Sequence, residues 1–178
     1  VFSPDQTVLI GWVPGTDSPP ILHFWEAPSL RLIRVMTNST LFGGPDAIAF
    51  SPDGKLMAIL GNGRTEVELW DLGTQNARRI TTLAGHRQAT VGVSFSPDGK
   101  ILATGSTDGT LKLWNVSLGQ ELATLQFNED ELPDVDSRVN SVRFSPDGNT
   151  LVAISNSGAL KYFRAASWAE IERQSAAQ

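Results

Sequence analysis

Phe95-Ser96-Pro97-Asp98-Gly99 stands between two runs that read as strands, Val91 to Phe95 and Ile101 to Ser106. Its first four residues recur at Phe2 to Asp5, Phe50 to Asp53 and Phe144 to Asp147, with 48, 45 and 49 residues between successive copies. A period of that length marks one supersecondary unit used several times, and it outweighs any single residue as evidence of architecture. Trp25, Trp70, Trp114 and Phe163 trail the four copies by 23, 20, 19 and 19 residues, so whole units repeat. Each aromatic closes a short alternating run such as Val67 to Trp70 or Leu111 to Trp114, which makes the unit mostly strand.

The third unit gives the plan of the others. Val91, Val93 and Phe95 share one face of a strand and are expected to be buried. In the turn that follows, Pro97 presets the first central φ, Asp98 suits the second, and Gly99 takes the left-handed position that closes a short hairpin. Ile101 to Ser106 returns as a second strand, Thr107-Asp108-Gly109 makes another tight turn before Leu111 to Trp114, and Glu121 to Phe127 alternates weakly as an outer fourth strand. Four antiparallel strands per period, uninterrupted by helix, make an all-β fold of propeller blades. In the first unit Gln6 replaces the glycine found at Gly54, Gly99 and Gly148. A left-handed glutamine costs about 1 to 2 kcal/mol, so that turn is expected to be of another type or length.

These residues resemble the WD-repeat family of β-propellers: Gly85-His86 opening a unit, the Phe95 to Gly99 turn, Ser106-Thr107-Asp108-Gly109-Thr110, and Leu113-Trp114-Asn115, with Trp70-Asp71 in the second unit. The resemblance implies a hydrogen-bond network of His86, Thr104 or Ser106, Asp108 and Trp114 that ties a loop to its blade. Only the third unit offers all four. Leu41 and Val135 stand where His86 would be in the second and fourth units, and Phe163 replaces the tryptophan, so those blades are expected to rest on apolar packing. Burial contributes roughly 1.5 to 3 kcal/mol per Val, Leu or Phe. Propellers of this family most often close with more units than this chain holds. The expected organisation is therefore a remnant over residues 1–43 and blades over about 44–86, 87–134 and 135–178, the C-terminal part of a larger propeller. Ala165 to Arg173 would supply the last outer strand. The uncovered faces of such an arc also admit a homo-oligomer.

Composition narrows the function. The formal net charge of -5, with 14 Lys and Arg, argues against nucleic acid as the main partner. No apolar run approaches the length of a membrane span. The absence of Cys removes thiolate catalysis and Cys-based metal sites and fits a reducing, cytoplasmic setting. The sequons at Asn38 and Asn115 are read as chance occurrences. His86, Ser106 and Asp108 are the residue types of a hydrolytic triad, yet the repeat pattern already gives each a structural place, and no nucleophile elbow accompanies Ser106. The acidic stretch Asn128 to Asp136 lacks the glycine of a calcium loop and reads as a solvated insertion, and His23 reads as a half-exposed strand residue. No cofactor or metal is expected.

The resemblance places partners on the face formed by the loops into each first strand and the second turns. The candidate rim is Asp46, Arg87, Gln88, Arg138, Asn140 and Asn156, with Trp12 in the long first loop. Trp12 has two readings of equal standing, an exposed anchor or a side chain packed beneath its own loop. The function expected is a non-catalytic scaffold for proteins or peptides within a larger signalling protein. The alternative is an accessory propeller of an enzyme, such as a kinase or protease, encoded upstream of Val1.

Overall fold

The structure, a computed structural model, describes residues 1–13, 21–37, 47–60, 65–73, 77–127 and 137–164, the side chains of Trp12 and Thr37 excepted. Expectations for Asn38, Leu41, Asp46, the acidic stretch 128–136, Val135 and the strand at 165–173 lie outside the described residues.

Four antiparallel sheets follow one another along the chain. The first holds β1 (Val8–Val13), β2 (Ile21–Glu26) and β3 (Arg31–Thr37); the second β4 (Ile48–Phe50), β5 (Leu56–Leu60), β6 (Glu66–Asp71) and β7 (Arg78–Ala84). The third holds β8 (Thr90–Phe95), β9 (Ile101–Ser106), β10 (Thr110–Asn115) and β11 (Gln120–Gln126); the fourth β12 (Val139–Phe144), β13 (Thr150–Ser155) and β14 (Leu160–Arg164). Each is an up-and-down meander, the arrangement of a propeller blade. Phe2 makes an isolated bridge to Leu9, all that stands before β1 in its sheet among the described residues. No helix among the described residues is long and apolar enough to cross a membrane.

The repeated turn has the same construction four times. Ser96 Oγ donates to Asp98 Oδ1 at 2.6 Å, the same carboxylate oxygen accepts from Lys100 N, and Ile101 N donates to Ser96 Oγ. Ser3, Ser51 and Ser145 repeat this with Asp5, Asp53 and Asp147. The Ser hydroxyl therefore holds each Asp carboxyl below its ordinary range, with a backbone N–H as the second cause. Contrary to expectation, Gln6 keeps this turn rather than changing it. Its φ is 60°, and Gln6 N donates to Ser3 O at 2.9 Å, as Gly99 N does to Ser96 O. The local Ser-Asp bonds outweigh the left-handed strain.

Period-two alternation gives the third sheet two buried faces. Leu102 and Trp114 belong to the core shared with the first two sheets, whereas Ala103 and Leu111 join Val139, Val142 and Leu151 of the fourth. Glycines allow the third and fourth sheets to approach: a Cβ on Gly105 would lie 2.5 Å from Val139 Cγ1, and one on Gly92 3.0 Å from Val142 N. Val91 is only half-buried, unlike Val93 and Phe95, because a bulge between Thr90 and Gly92 leaves it unpaired and shifts it out of the alternation.

Candidate functional site

One end of the third sheet carries a continuous polar relay. Trp114 Nε1 donates to Thr104 Oγ1 at 2.9 Å, and Thr104 Oγ1 lies 2.7 Å from His86 Nε2. His86 Nδ1 is 3.1 Å from Thr110 Oγ1 and 3.3 Å from Asp108 Oδ2. Proton directions follow from the chemistry of the groups. Indole N–H only donates, so Thr104 accepts there and gives its own proton to Nε2. Thr110 Oγ1 gives its proton to Asp108 Oδ1, and the carboxylate only accepts, so Nδ1 carries the imidazole hydrogen.

Burial pulls the His86 imidazole below its ordinary range despite the raising effect of Asp108, and the contact between them is a hydrogen bond from a neutral ring rather than an ion pair. Burial alone would raise Asp108. Hydrogen bonds from Thr110 Oγ1, Arg87 N and Thr110 N outweigh it and hold the carboxyl below its ordinary value.

Sequence reasoning left the hydroxyl as Thr104 or Ser106, and geometry separates them. Thr104 is fully buried and faces His86. Ser106 Oγ donates to Gln88 O at 3.2 Å and accepts from Asp108 N, so it fastens the loop backbone. His86, Ser106 and Asp108 therefore lack the hydroxyl-to-imidazole contact that nucleophilic catalysis uses. Thr110 was not anticipated, although a hydroxyl two residues after Asp108 on the same turn is the available signal.

A second cluster flanks the relay. Lys112 Nζ lies 2.8 Å from both Glu121 oxygens and 2.7 Å from Thr124 Oγ1, which holds the Glu121 carboxyl below its ordinary range. The second sheet inverts the charges. Glu68 is 2.8 Å from Arg79 and accepts from Trp70 Nε1 at 3.0 Å, so that sheet is not held by apolar packing alone. In the first sheet His23 stacks on Trp25 at 5.5 Å, and in the fourth Lys161 lies over the Phe163 ring. Each partner precedes its aromatic by two residues, which puts both on one strand face.

The rim candidates distribute unevenly. Arg87 and Gln88 are exposed on the loop that the relay fastens, while Arg138 and Asn156 are exposed and adjoin through Asn156 N donating to Arg138 O at 2.8 Å. Asn140 is the exposed extra residue of a bulge in β12 rather than a loop residue. Trp12 is likewise in β1, paired with Leu22, and not in a loop.

Successive meandering sheets, each carrying the same Ser-Pro-Asp turn, define a repeat protein of propeller type. Residues 77–115 and 129–164 match the family described as WD domain, G-beta repeat, so WD repeats stand at two positions in this chain. The first match starts before β7 and ends with β10, so one sequence repeat spans two sheets.

Target of rapamycin complex subunit wat1 of Schizosaccharomyces pombe is 32% identical over 95 residues, 53% of this chain and 29% of that protein. Pre-mRNA-processing factor 19 of Oryza sativa subsp. japonica is 32% identical over 112 residues, 62% of this chain and 20% of its own length. Eukaryotic translation initiation factor 3 subunit I of Aspergillus niger is 36% identical over 80 residues, 45% of this chain and 23% of that protein. The chain thus spans between 20% and 29% of the length of these relatives.

Proposed function

We propose that this chain is a non-catalytic binding domain that presents a rigid rim to a protein or peptide and belongs to a larger propeller within a signalling or scaffold protein. The observation that carries the reading is the fastened loop. His86, Ser106 and Asp108 spend their polar atoms on the chain itself, while Arg87 and Gln88 on the same loop turn outward. A rigid backbone carrying exposed polar side chains lowers the ordering cost of association. Subunit names among the relatives, of a target of rapamycin complex and of an initiation factor, accord with a role inside assemblies.

The larger ring is supported by register. Leu160 and Tyr162 occupy the positions of Leu111 and Leu113, which face the next sheet, yet they are 62% and 70% exposed. The partner-facing claim is tested by placing a photo-crosslinking residue at Gln88 or Asn140 and, as a control, at Lys100 beside the repeated turn. Crosslinks to a partner confined to the first two positions are expected. Equal yields from Lys100 would sink the rim reading.

A further inference from the structure

One side chain plugs the loop between β7 and β8 into its sheet. Across residues 85–89 only His86 is buried, while Gly85, Arg87 and Gln88 are exposed and Ala89 is half-buried. The other fastenings are bonds to the loop backbone. Arg87 N donates to Asp108 Oδ2 at 2.7 Å, Ser106 Oγ to Gln88 O at 3.2 Å, and Thr107 N to Ala89 O at 2.9 Å. The backbone also runs close over the relay, since a Cβ on Gly85 would lie 3.1 Å from both Glu121 Oε2 and Trp114 Cη2. Displacing this loop therefore carries the imidazole into water without breaking a strand ladder.

The hydrogens of the relay balance for a neutral ring. Thr104 Oγ1 accepts from Trp114 Nε1 and gives its single proton to His86 Nε2. A proton added to Nε2 sets two N–H donors on that oxygen and turns Thr104's own proton toward Lys112 O, at 3.5 Å the outer limit of a hydrogen bond. Thr104 is fully buried, so water does not make up the loss. The charged groups facing the ring come from three elements. Asp108 in the β9–β10 turn and Glu121 in β11 favour a cationic ring, Lys112 in β10 opposes it, and burial outweighs the two carboxylates. We infer that the loop over residues 85–89 is an acid-released latch: protonation of His86 draws the imidazole out of its pocket and frees the backbone that presents Arg87 and Gln88. Its consequence for recognition rests on the proposed function, because a partner held by this loop is then let go on acidification. The latch itself is a property of the free chain.

Amide exchange on the wild-type 178-residue chain tests this without a partner. The reporters are Arg87 N–H and Thr107 N–H, whose acceptors are Asp108 Oδ2 and Ala89 O. From about pH 7 to about pH 5 their protection factors should fall about tenfold, with a ceiling of about thirtyfold set by a released imidazole that regains its ordinary value of about 6.5. Low urea should leave the loop's opening unchanged, which marks it as local rather than global. His86→Asn carries no titrating ring, so its loop amides should be equally protected at both pH values; the wild-type titration decides alone where that variant does not fold. A fall below about threefold, an equal fall in His86→Asn, or a urea dependence matching global unfolding overturns the inference. Greater protection at the lower pH also overturns it, in favour of a His86–Asp108 ion pair that tightens the loop. Any of these results leaves crosslinking from Gln88 untouched, and with it the rim.

Discussion

Replacing Thr104 with Val tests the relay most directly, because the shape is nearly kept and only the hydroxyl is lost. Trp114 Nε1–H loses its acceptor at 2.9 Å and His86 Nε2 loses its donor at 2.7 Å. Both sit out of water, with Trp114 2% and His86 6% exposed. A buried polar group left unsatisfied costs about 1 to 3 kcal/mol, so two together should cost about 3 kcal/mol or more. For a chain of 178 residues that corresponds to a fall in Tm of about 8 °C. Ser106→Ala removes two bonds to partly buried loop backbone, neither of them to the imidazole or the indole, and should cost less, about 1 to 2 kcal/mol. Urea unfolding followed by far-ultraviolet circular dichroism measures both, with the slope checked for constancy. Thr104→Val within about 0.5 kcal/mol of wild type, or Ser106→Ala costing as much, would show that Thr104 is not the centre of the relay.

Gln6→Gly relieves a left-handed φ of 60° and should raise stability by about 1 kcal/mol, read from the urea midpoint. Gly105→Ala forces a Cβ to within 2.5 Å of Val139 Cγ1, so a loss of about 1 to 3 kcal/mol is expected, with faster amide exchange across β12. His86 binds its proton less readily folded than unfolded, so its stabilisation is complete above the ordinary imidazole value of 6.5 and declines as pH falls below it. Asp108, whose carboxyl is also depressed, has the same sign in a more acidic window, its contribution persisting above 3.8 and disappearing as pH falls below that value. The urea midpoint should therefore drop between about pH 7 and pH 5 in wild type and drop less in His86→Asn, the charges of Asp108, Lys112 and Glu121 being common to both. Lys112→Glu should destabilise by setting two carboxylates together, and adding Glu121→Arg should restore much of the loss, since Glu68 with Arg79 already forms the inverted pair in the second sheet.

The strand plan was legible because the repeat supplied four readings of one pattern. An alternation too weak to trust at Glu121 to Phe127 gains weight from the position of Trp114 before it, and β11 runs over Gln120–Gln126. What sequence did not disclose were the bulges. Val91 and Asn140 are each an extra residue at the start of a first strand, and nothing in valine or asparagine announces that the ladder slips there. Gln6 was misjudged for a related reason. Intrinsic preference disfavours a left-handed glutamine, but Ser3 and Asp5 fix the turn through bonds that depend on position and not on the residue at the strained site. At the relay, residue types alone admitted either hydroxyl; which one faces His86 depends on strand register, and Lys112 opposite Thr104 settles it only once the ladder is known.

Because the units share one backbone plan, substitutions at register-equivalent positions separate what the fold requires from what this chain adds. Thr104 with His86 fastens a single loop, the one bearing Arg87 and Gln88, while Gly11 takes the place of Thr104 in the first sheet, where a Cβ would lie 3.0 Å from the Trp25 ring. The first sheet meets that aromatic with a stacked His23 instead of an ion pair, and around it places Leu32 and Val35 where its neighbours have Arg79 with Thr82 and Glu121 with Thr124. It also keeps Gln6 and Leu30 at positive φ where glycines serve elsewhere. The two left-handed residues each cost that sheet about 1 to 2 kcal/mol, which at Gln6 the bonds of Ser3 and Asp5 outweigh. The comparison thus separates a loop fastened by side chains in the third sheet from an aromatic accommodated by stacking and a missing Cβ in the first.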